Sequence, residues 1–283
     1  MNVYEMVTER IIEQLEKGVI PWQKPWTGTK NGAYNRVSRK PYSILNQMLL
    51  QHSGEYATFK QWTEAGGHIR KGAKSEIVTF WKMQIVEEEK EDGTKVKKQI
   101  PLLRDYHVFH ISQVDGVEPK EKIELQEIEP IETAERVKRE YMDREHLKIY
   151  EKITDKAFYT PTFDYIEIPC KEQYTNIEEF YSTLFHEMIH STGYYKRLNR
   201  LESGANAGFG SETYSKEELT AEIGSAMILN RIGIETEKSF NNSAAYIQNW
   251  LQVLKNDNKF IISASSRSEK AVKYIFNDNE VEE

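Results

Sequence analysis

The chain has 283 residues, 39% hydrophobic and 29% charged, which excludes a disordered polymer and allows two ordinary domains, each with a core. No apolar run approaches the ~20 residues that cross a bilayer, the acidic, amphipathic opening MNVYEMVTERIIEQLEKG is neither a signal nor a transit peptide, and the single cysteine, Cys170, excludes an intrachain disulfide; the expectation is a cytoplasmic protein with no membrane partner. The net charge of −7 is unevenly spread: residues 1–82 hold twelve Lys/Arg against seven Asp/Glu and four of the five tryptophans, whereas residues 129–283 hold nineteen against twenty-seven, which predicts two domains with different partners.

In chain order, Met6, Val7, Ile11, Ile12 and Leu15 recur at helical spacing and Gly18 ends the run. A loop punctuated by Pro21, Pro25, Gly28 and Gly32 follows, then a short buried helix in SILNQMLLQHS and another in TFKQWTEAGG, opened by Thr58. From Ser75 the pattern turns to strand on both sides of EDGT, where Asp92-Gly93 suits a hairpin turn. Within that hairpin His107 and His110 are three apart, point to opposite faces of a strand, and read as structural. Residues 114–130 lose aromatics and gain acidic residues and prolines, which predicts a linker between a domain at 1–128 and a second at 129–283. After a first helix, AFYTPTFDYIEIP reads as one or two strands, and three helical stretches complete the chain.

The second of those domains carries HEMIH, His186 to His190. On a helix, positions i and i+4 lie one turn apart on one face, so both imidazoles can meet a single cation, with Glu187 placed as general base for water. Thr175 with Glu178 has the pattern of a capping box, Phe180, Tyr181, Leu184, Phe185, Met188 and Ile189 form the apolar face, and Gly193 stops the helix. The histidines lie off the apolar stripe, which argues against ordinary core histidines. Zinc in a catalytic site takes three protein ligands and leaves one position for water. The third ligand is sought in SKEELTAEIGSAMI, where Glu218 and Glu222 are again i and i+4, while Ala221, Gly224 and Ser225 allow close helix approach. Glu218 is the predicted ligand and Glu222 the acceptor from a ligating histidine; Glu217 is the fallback ligand, and Tyr214 and Tyr194 are candidate oxyanion donors. A histidine-glutamate pattern of this order resembles the gluzincins, in which aspartate is commoner where Glu222 stands.

The first domain interleaves aromatic and cationic residues: Trp22, Lys24 and Trp26, then Arg36, Arg39, Lys40 and Tyr42, then Arg70, Lys71 and Lys74. Such a mixture suits single-stranded nucleic acid, because bases stack on rings while cations follow phosphates; the competing reading is core tryptophans under a solvated basic face.

Several long stretches in the same order resemble the ArdC-type antirestriction family of conjugative plasmids, integrative elements and phages. They are NVYEMVTERIIEQLEKGVIPWQKPW, NRVSRKPYSILNQMLL, TFKQWTEAGGHIRKGAKSEIVTFWK, YHVFHISQVDG, DYIEIP, EEFYSTLFHEMIHSTGYYKRLNR and EELTAEIGSAMI. Departures occur at Ser43, Ile44 and Ser191, beside the predicted ligands and not on them. The resemblance implies an α+β protein of two domains: a mixed α/β, single-stranded-DNA-binding N-terminal domain with a β-hairpin, and a C-terminal zincin-like, gluzincin-type domain with one zinc ion. It also implies protection of incoming DNA from host restriction, either by cleaving a host restriction-related protein or, alternatively, by DNA binding alone with the zinc domain structural or a docking module.

Overall fold

The computed structural model describes residues 2–17, 19–23, 32–89, 95–120, 130–174, 176–201, 212–234 and 250–278. Helix α1 (Val3–Glu16) opens on a capping box in which the Glu5 N–H donates to Asn2 Oδ1 at 3.0 Å and the Asn2 N–H donates to Glu5 Oε2 at 2.8 Å. Strand β1 (Ala33–Asn35) leads through α2 (Ile44–Leu49) to β2 (Gly54–Ala57), with which it pairs in parallel. Buried Asn46 and Gln47 are fully engaged: Asn46 bridges to the Thr79 backbone through both amide atoms, at 2.7 and 2.9 Å, and Gln47 does the same at Ala33. These bonds fix α2 on the sheet without leaving a buried amide unsatisfied. Helix α3 (Phe59–Glu64) starts at Thr58, as its sequence predicts, and leads to β3 (His68–Ile69).

Two long strands dominate the N-terminal domain. β4 (Glu76–Glu89) and β5 (Lys95–His110) pair antiparallel from Glu76↔Val108 to Glu89↔Lys95, with β4 at the edge of the β1-β2-β5-β4 sheet. The predicted Asp92-Gly93 turn lies outside the described residues. Within the predicted linker, β6 (Val114–Asp115) pairs with β3, and the Lys120 N–H donates to the Glu55 side chain (Oε1) at 2.5 Å, contacts with the first domain that composition does not reveal.

The second domain starts with α4 (Pro130–Glu145) and a three-stranded sheet in which β9 (Tyr165–Pro169) lies between β7 (Lys148–Lys152), parallel to it, and β8 (Phe158–Thr160), antiparallel. β7 was not among the predicted strands: apart from Ile149 it is charged or tyrosine, and its burial comes from one side only. Helix α5 (Ile177–Thr192) carries the histidines and ends at Gly193. Its N-cap is Asn176, whose Oδ1 accepts from the Glu179 N–H at 2.8 Å; this displaces the predicted Thr175/Glu178 box by one residue, and Thr175 itself lies outside the described residues. Helix α6 (Glu212–Ile232), helical residues 250–256 and α7 (Phe260–Phe276) follow. Among the described residues, no helix is long and apolar enough to cross a membrane.

The cores explain how the site is held. One cluster lies within the second domain, joining Tyr141, Ile166, Ile168, Phe180, Phe185, Met188 and Ile189 to Ala221, Ile228 and Ile232 of α6. A second crosses between domains: Val7, Ile11 and Leu15 of α1, Trp22, and Ile44 and Met48 of α2 meet Leu219 and Ile223 of α6 with Trp250 and Phe260. α6 is therefore gripped from two sides, one of them contributed by the N-terminal domain. Against α5 it is closer still. A Cβ on Gly224 would lie 2.7 Å from Ile189 Cδ1 and 2.8 Å from Cγ1, and Ser225 Oγ donates to the Ser182 carbonyl at 2.8 Å. Replacing Gly224 by alanine improves helix propensity by about 1 kcal/mol, but overpacking at this contact costs about 1–3 kcal/mol. Gly224→Ala is thus expected to lower the melting temperature by several degrees, with partial recovery in Gly224→Ala/Ile189→Val; a Gly224→Ala variant more stable than the parent would show that the helices have room to spare.

Candidate metal centre

The α5–α6 contact brings His186, His190 and Glu218 together. All three ligand atoms lie within 4.8 Å of one another, and among the described residues this is the cluster found with metal-ligand character. The Nε2 atoms of His186 and His190 are 3.1 Å apart, and each stands 3.5 Å from an oxygen of Glu218. Ligands about 2.05 Å from a tetrahedral ion are separated by about 3.4 Å. The donor spacing thus fits one cation held by two imidazoles and a carboxylate, and one further corner stays available to a small molecule. Glu187, next to His186 in sequence, is buried, and its charge raises the pKa of His186.

Each histidine turns its other nitrogen to a carboxylate on α6. His190 Nδ1 donates to Glu217 Oε1 at 3.2 Å; His186 Nδ1 stands 3.7 Å from Glu222 Oε1, an ion-pair distance too long for a hydrogen bond. Successive glutamates on one helix thus point differently: Glu218 into the cluster, Glu217 away from it. Arg200 fixes the second direction. Its Nε and Nη2 donate to the two oxygens of Glu217 at 2.9 and 2.8 Å, while the same guanidinium donates to Thr192 Oγ1 and to the Ile189 carbonyl, both at 2.8 Å. A planar fork suits this task, because it satisfies a carboxylate and the open carbonyl end of α5 together. Glu217, the fallback ligand, thus bonds to His190 Nδ1 and Arg200 and lies outside the cluster of His186, His190 and Glu218. No local signal reveals this, since Arg200 lies in a loop seventeen residues away in sequence.

The electrostatics follow from the packing. Burial raises the Glu217 pKa, but the hydrogen bonds from Arg200 and His190, with their charges, override it and bring the value from 4.5 down to about 2. A carboxylate with a depressed folded pKa contributes stability that is present above its unfolded pKa and lost as pH falls toward about 2. Burial opposes the charged form of His186, yet the Glu218 hydrogen bond and the charges of Glu222, Glu187 and Glu218 raise its pKa to about 9. Burial pushes Glu222 upward, and His186 only partly offsets it. The site is thus rich in negative charge and favours a positive one, such as the proton on His186.

The other predicted residues fall in varied places. Tyr194 lies in the turn after α5 with its ring at 4.5 Å from Tyr195 and under the Arg197 guanidinium at 5.1 Å. The backbone of Tyr214 is in α6, but its side chain lies outside the described residues, as do Lys24 and Trp26. Ser191 is fully buried against Tyr141, at 2.9 Å between hydroxyls, behind the histidines. In the N-terminal domain, three predicted DNA contacts are in the interior. Trp22 is fully buried, edge-on to Trp250 at 5.2 Å; Tyr42 is buried beside Tyr56; Arg36 is paired with buried Glu55 and stacked 5.0 Å from Trp62. None of these presents a free face to a base: the core shared by the domains claims Trp22, Tyr56 and Phe80 flank Tyr42, and Glu55 with Trp62 claims Arg36. Arg39, Lys40, Lys71 and Lys74 are exposed, and Arg70 is exposed with a 2.8 Å ion pair to Asp115.

A helix bearing two histidines one turn apart, facing a glutamate on the following helix over a small sheet, defines a zincin-like domain. Residues 136–267 match the family model for a zincin-like metallopeptidase, and residues 1–109 match that for the N-terminal domain of the anti-restriction factor ArdC. Crystal structures of the antirestriction protein ArdC from plasmid R388 superpose along almost the entire chain. The metal-free form gives a TM-score of 0.75 at 30% identity with 98% of each chain covered, and the Mn(II)-bound form gives 0.76 at 30% with 100% of each covered. An uncharacterised protein of Sinorhizobium fredii is 31% identical over 95% of this chain and 90% of its own length. Two DNA primases TraC of Escherichia coli are each 32% identical over 99% of this chain, which spans only 20% and 28% of their lengths. The chain belongs to the ArdC family of antirestriction proteins.

Because outer hydrogen bonds to metal-bound histidines typically change affinity by about 10–100-fold, Glu217→Gln is expected to weaken binding of a divalent metal by about that factor while leaving His186, His190 and Glu218 unaltered. Isothermal titration of chelator-treated protein reads it, and an unchanged affinity would show that His190 needs no orienting partner.

Proposed function

We propose that this chain is an antirestriction protein that binds single-stranded DNA and carries a zinc peptidase-type centre, with His186, His190 and Glu218 as ligands and Glu187 as general base. The observation that carries the reading is the donor geometry: two Nε2 atoms and a carboxylate at 3.1–3.5 Å spacings. The divalent metal in the related R388 protein supports a metal here, and the nitrogen and oxygen donor set suits zinc. A bound zinc ion supplies Lewis-acid polarisation of a carbonyl and acidification of water. The chain's own residues do the rest. Glu187 takes a proton from water and returns it to the departing amine, and Glu217, held by Arg200, keeps the Nε2 of His190 directed at the cluster.

On this reading the peptide bond acted on belongs to a host restriction-related protein, and the N-terminal domain brings the centre to single-stranded DNA. A nuclease is the weaker fit, since phosphodiester cleavage more often uses clustered carboxylates and two metals.

Glu187→Gln keeps the shape and the ligands but cannot accept the proton, a change that costs about 10²–10⁴-fold in general-base catalysis. The test is transfer of unmodified plasmid into a restricting host. Protection is expected to collapse to the level without the protein, with zinc content and DNA binding retained. Full protection by the variant would mean that catalysis is not the function and that DNA binding carries it.

A further inference from the structure

With Trp22 and Tyr42 in the interior, the predicted DNA-contacting rings that are described offer no open face to a base, and the β4–β5 ribbon supplies one. Cross-strand partners in an antiparallel pair point to the same side. The register Val78↔Tyr106, Phe80↔Arg104, Lys82↔Leu102, Gln84↔Ile100 and Val86↔Lys98 therefore defines one face of the ribbon. Its rings are unusually open for a folded chain: Phe80 is 45% and Tyr106 40% exposed. They meet edge to face at 5.8 Å, and Phe80 rests on buried Tyr42, whose ring is 6.1 Å away, so the aromatic pair is held from beneath and open above.

Charge favours the same stretch of the ribbon. Between Val78 and Val86 and between Lys98 and Tyr106 this face carries Lys82, Arg104 and Lys98 and no carboxylate, Glu76 and Glu88 lying beyond those bounds, whereas Asp105 belongs to the opposite face. Lys82 and Arg104 are exposed and have no carboxylate partner among the described residues. Arg104 stands directly across from Phe80, and Lys82 follows two residues along, about 6.7 Å in a strand. The turn bearing exposed Arg39 and Lys40 ends at Tyr42, under the rings. Rings that present a π-face beside the exposed cations Lys82 and Arg104 complement a flexible polyanion whose bases are free to unstack. The opposite face exposes Trp81, Met83 and Ile85 but carries no Lys or Arg between Ile77 and Ile85 or between Gln99 and His107.

We propose that single-stranded DNA binds along this face of the β4–β5 ribbon, its bases stacking on Phe80 and Tyr106 and its phosphates lying against Lys82 and Arg104. This placement rests on the single-stranded-DNA reading above and gives it a location that the tryptophan-rich opening of the chain does not.

The test titrates the full chain into a fluorescein-labelled twenty-nucleotide oligothymidylate and follows anisotropy at several salt concentrations. Phe80→Ala and Tyr106→Ala are each expected to weaken binding about tenfold, and Phe80→Tyr to restore most of it. Lys82→Ala/Arg104→Ala should flatten the plot of log K against log salt by about 1.4, two phosphate contacts at about 0.7 each. All four side chains are exposed, so melting temperature and zinc content should match the parent. If the parent binds and these variants bind equally well, the ribbon placement is overturned while the DNA-binding reading stands. If the parent does not bind the oligonucleotide, both are overturned. Equal competition by a duplex of the same length would overturn the single-strand platform.

Discussion

Two helices can share a cation only where their backbones come close, and in this chain that approach depends on Gly224. With hydrogen in place of a side chain, α6 accepts Ile189 of α5 into the space a Cβ would fill, and Ser225 bonds to the Ser182 carbonyl one residue further along. The same contact places Glu218 within 3.5 Å of both imidazoles and Glu217 within 3.2 Å of His190 Nδ1. A wider separation would leave the carboxylate out of reach of the histidines, whatever their spacing on α5.

The rest of the molecule holds that approach in place. α6 is packed against the second domain's own core through Ala221, Ile228 and Ile232, and against the shared core through Leu219 and Ile223, where Trp22 and α1 press from the other domain. Arg200 adds a polar clamp that ties the last turn of α5 to Glu217. Buried ion pairs of this kind stabilise chiefly when every donor and acceptor is met, and here the guanidinium finds a carboxylate, a hydroxyl and a backbone carbonyl. Built on rigid helices and supported by outer hydrogen bonds, the cluster has the preorganisation that a metal site requires.

What could be read from the sequence was local. HEMIH is a spacing on a single helix, and the distance from it to Glu218 needed only a second amphipathic stretch with small residues, so the cluster was legible before any fold was known. Residues whose roles depend on distant partners were not. Trp22 looked like a stacking platform because its neighbours are basic, but Trp250, 228 positions later, covers it. Arg36 looked like a phosphate contact until Glu55 and Trp62 were placed beside it. Glu217 looked interchangeable with Glu218, because only Arg200 tells them apart. Even the start of α5 shifted by one residue, from a Thr175/Glu178 pattern to Asn176 and Glu179, since two adjacent polar residues offer caps of similar quality. Phe80 and Tyr106, twenty-six positions apart, share a face only through the register of the ribbon.

The most direct test of this account is zinc K-edge X-ray absorption on the reconstituted full chain. The account predicts four light-atom neighbours near 2.0 Å, with the outer-shell scattering of two imidazoles and no sulfur, and loss of the site in Glu218→Ala. Sulfur scattering from Cys170, a single imidazole, or an unchanged spectrum in that variant would contradict the claim that α5 and α6 together build the metal centre.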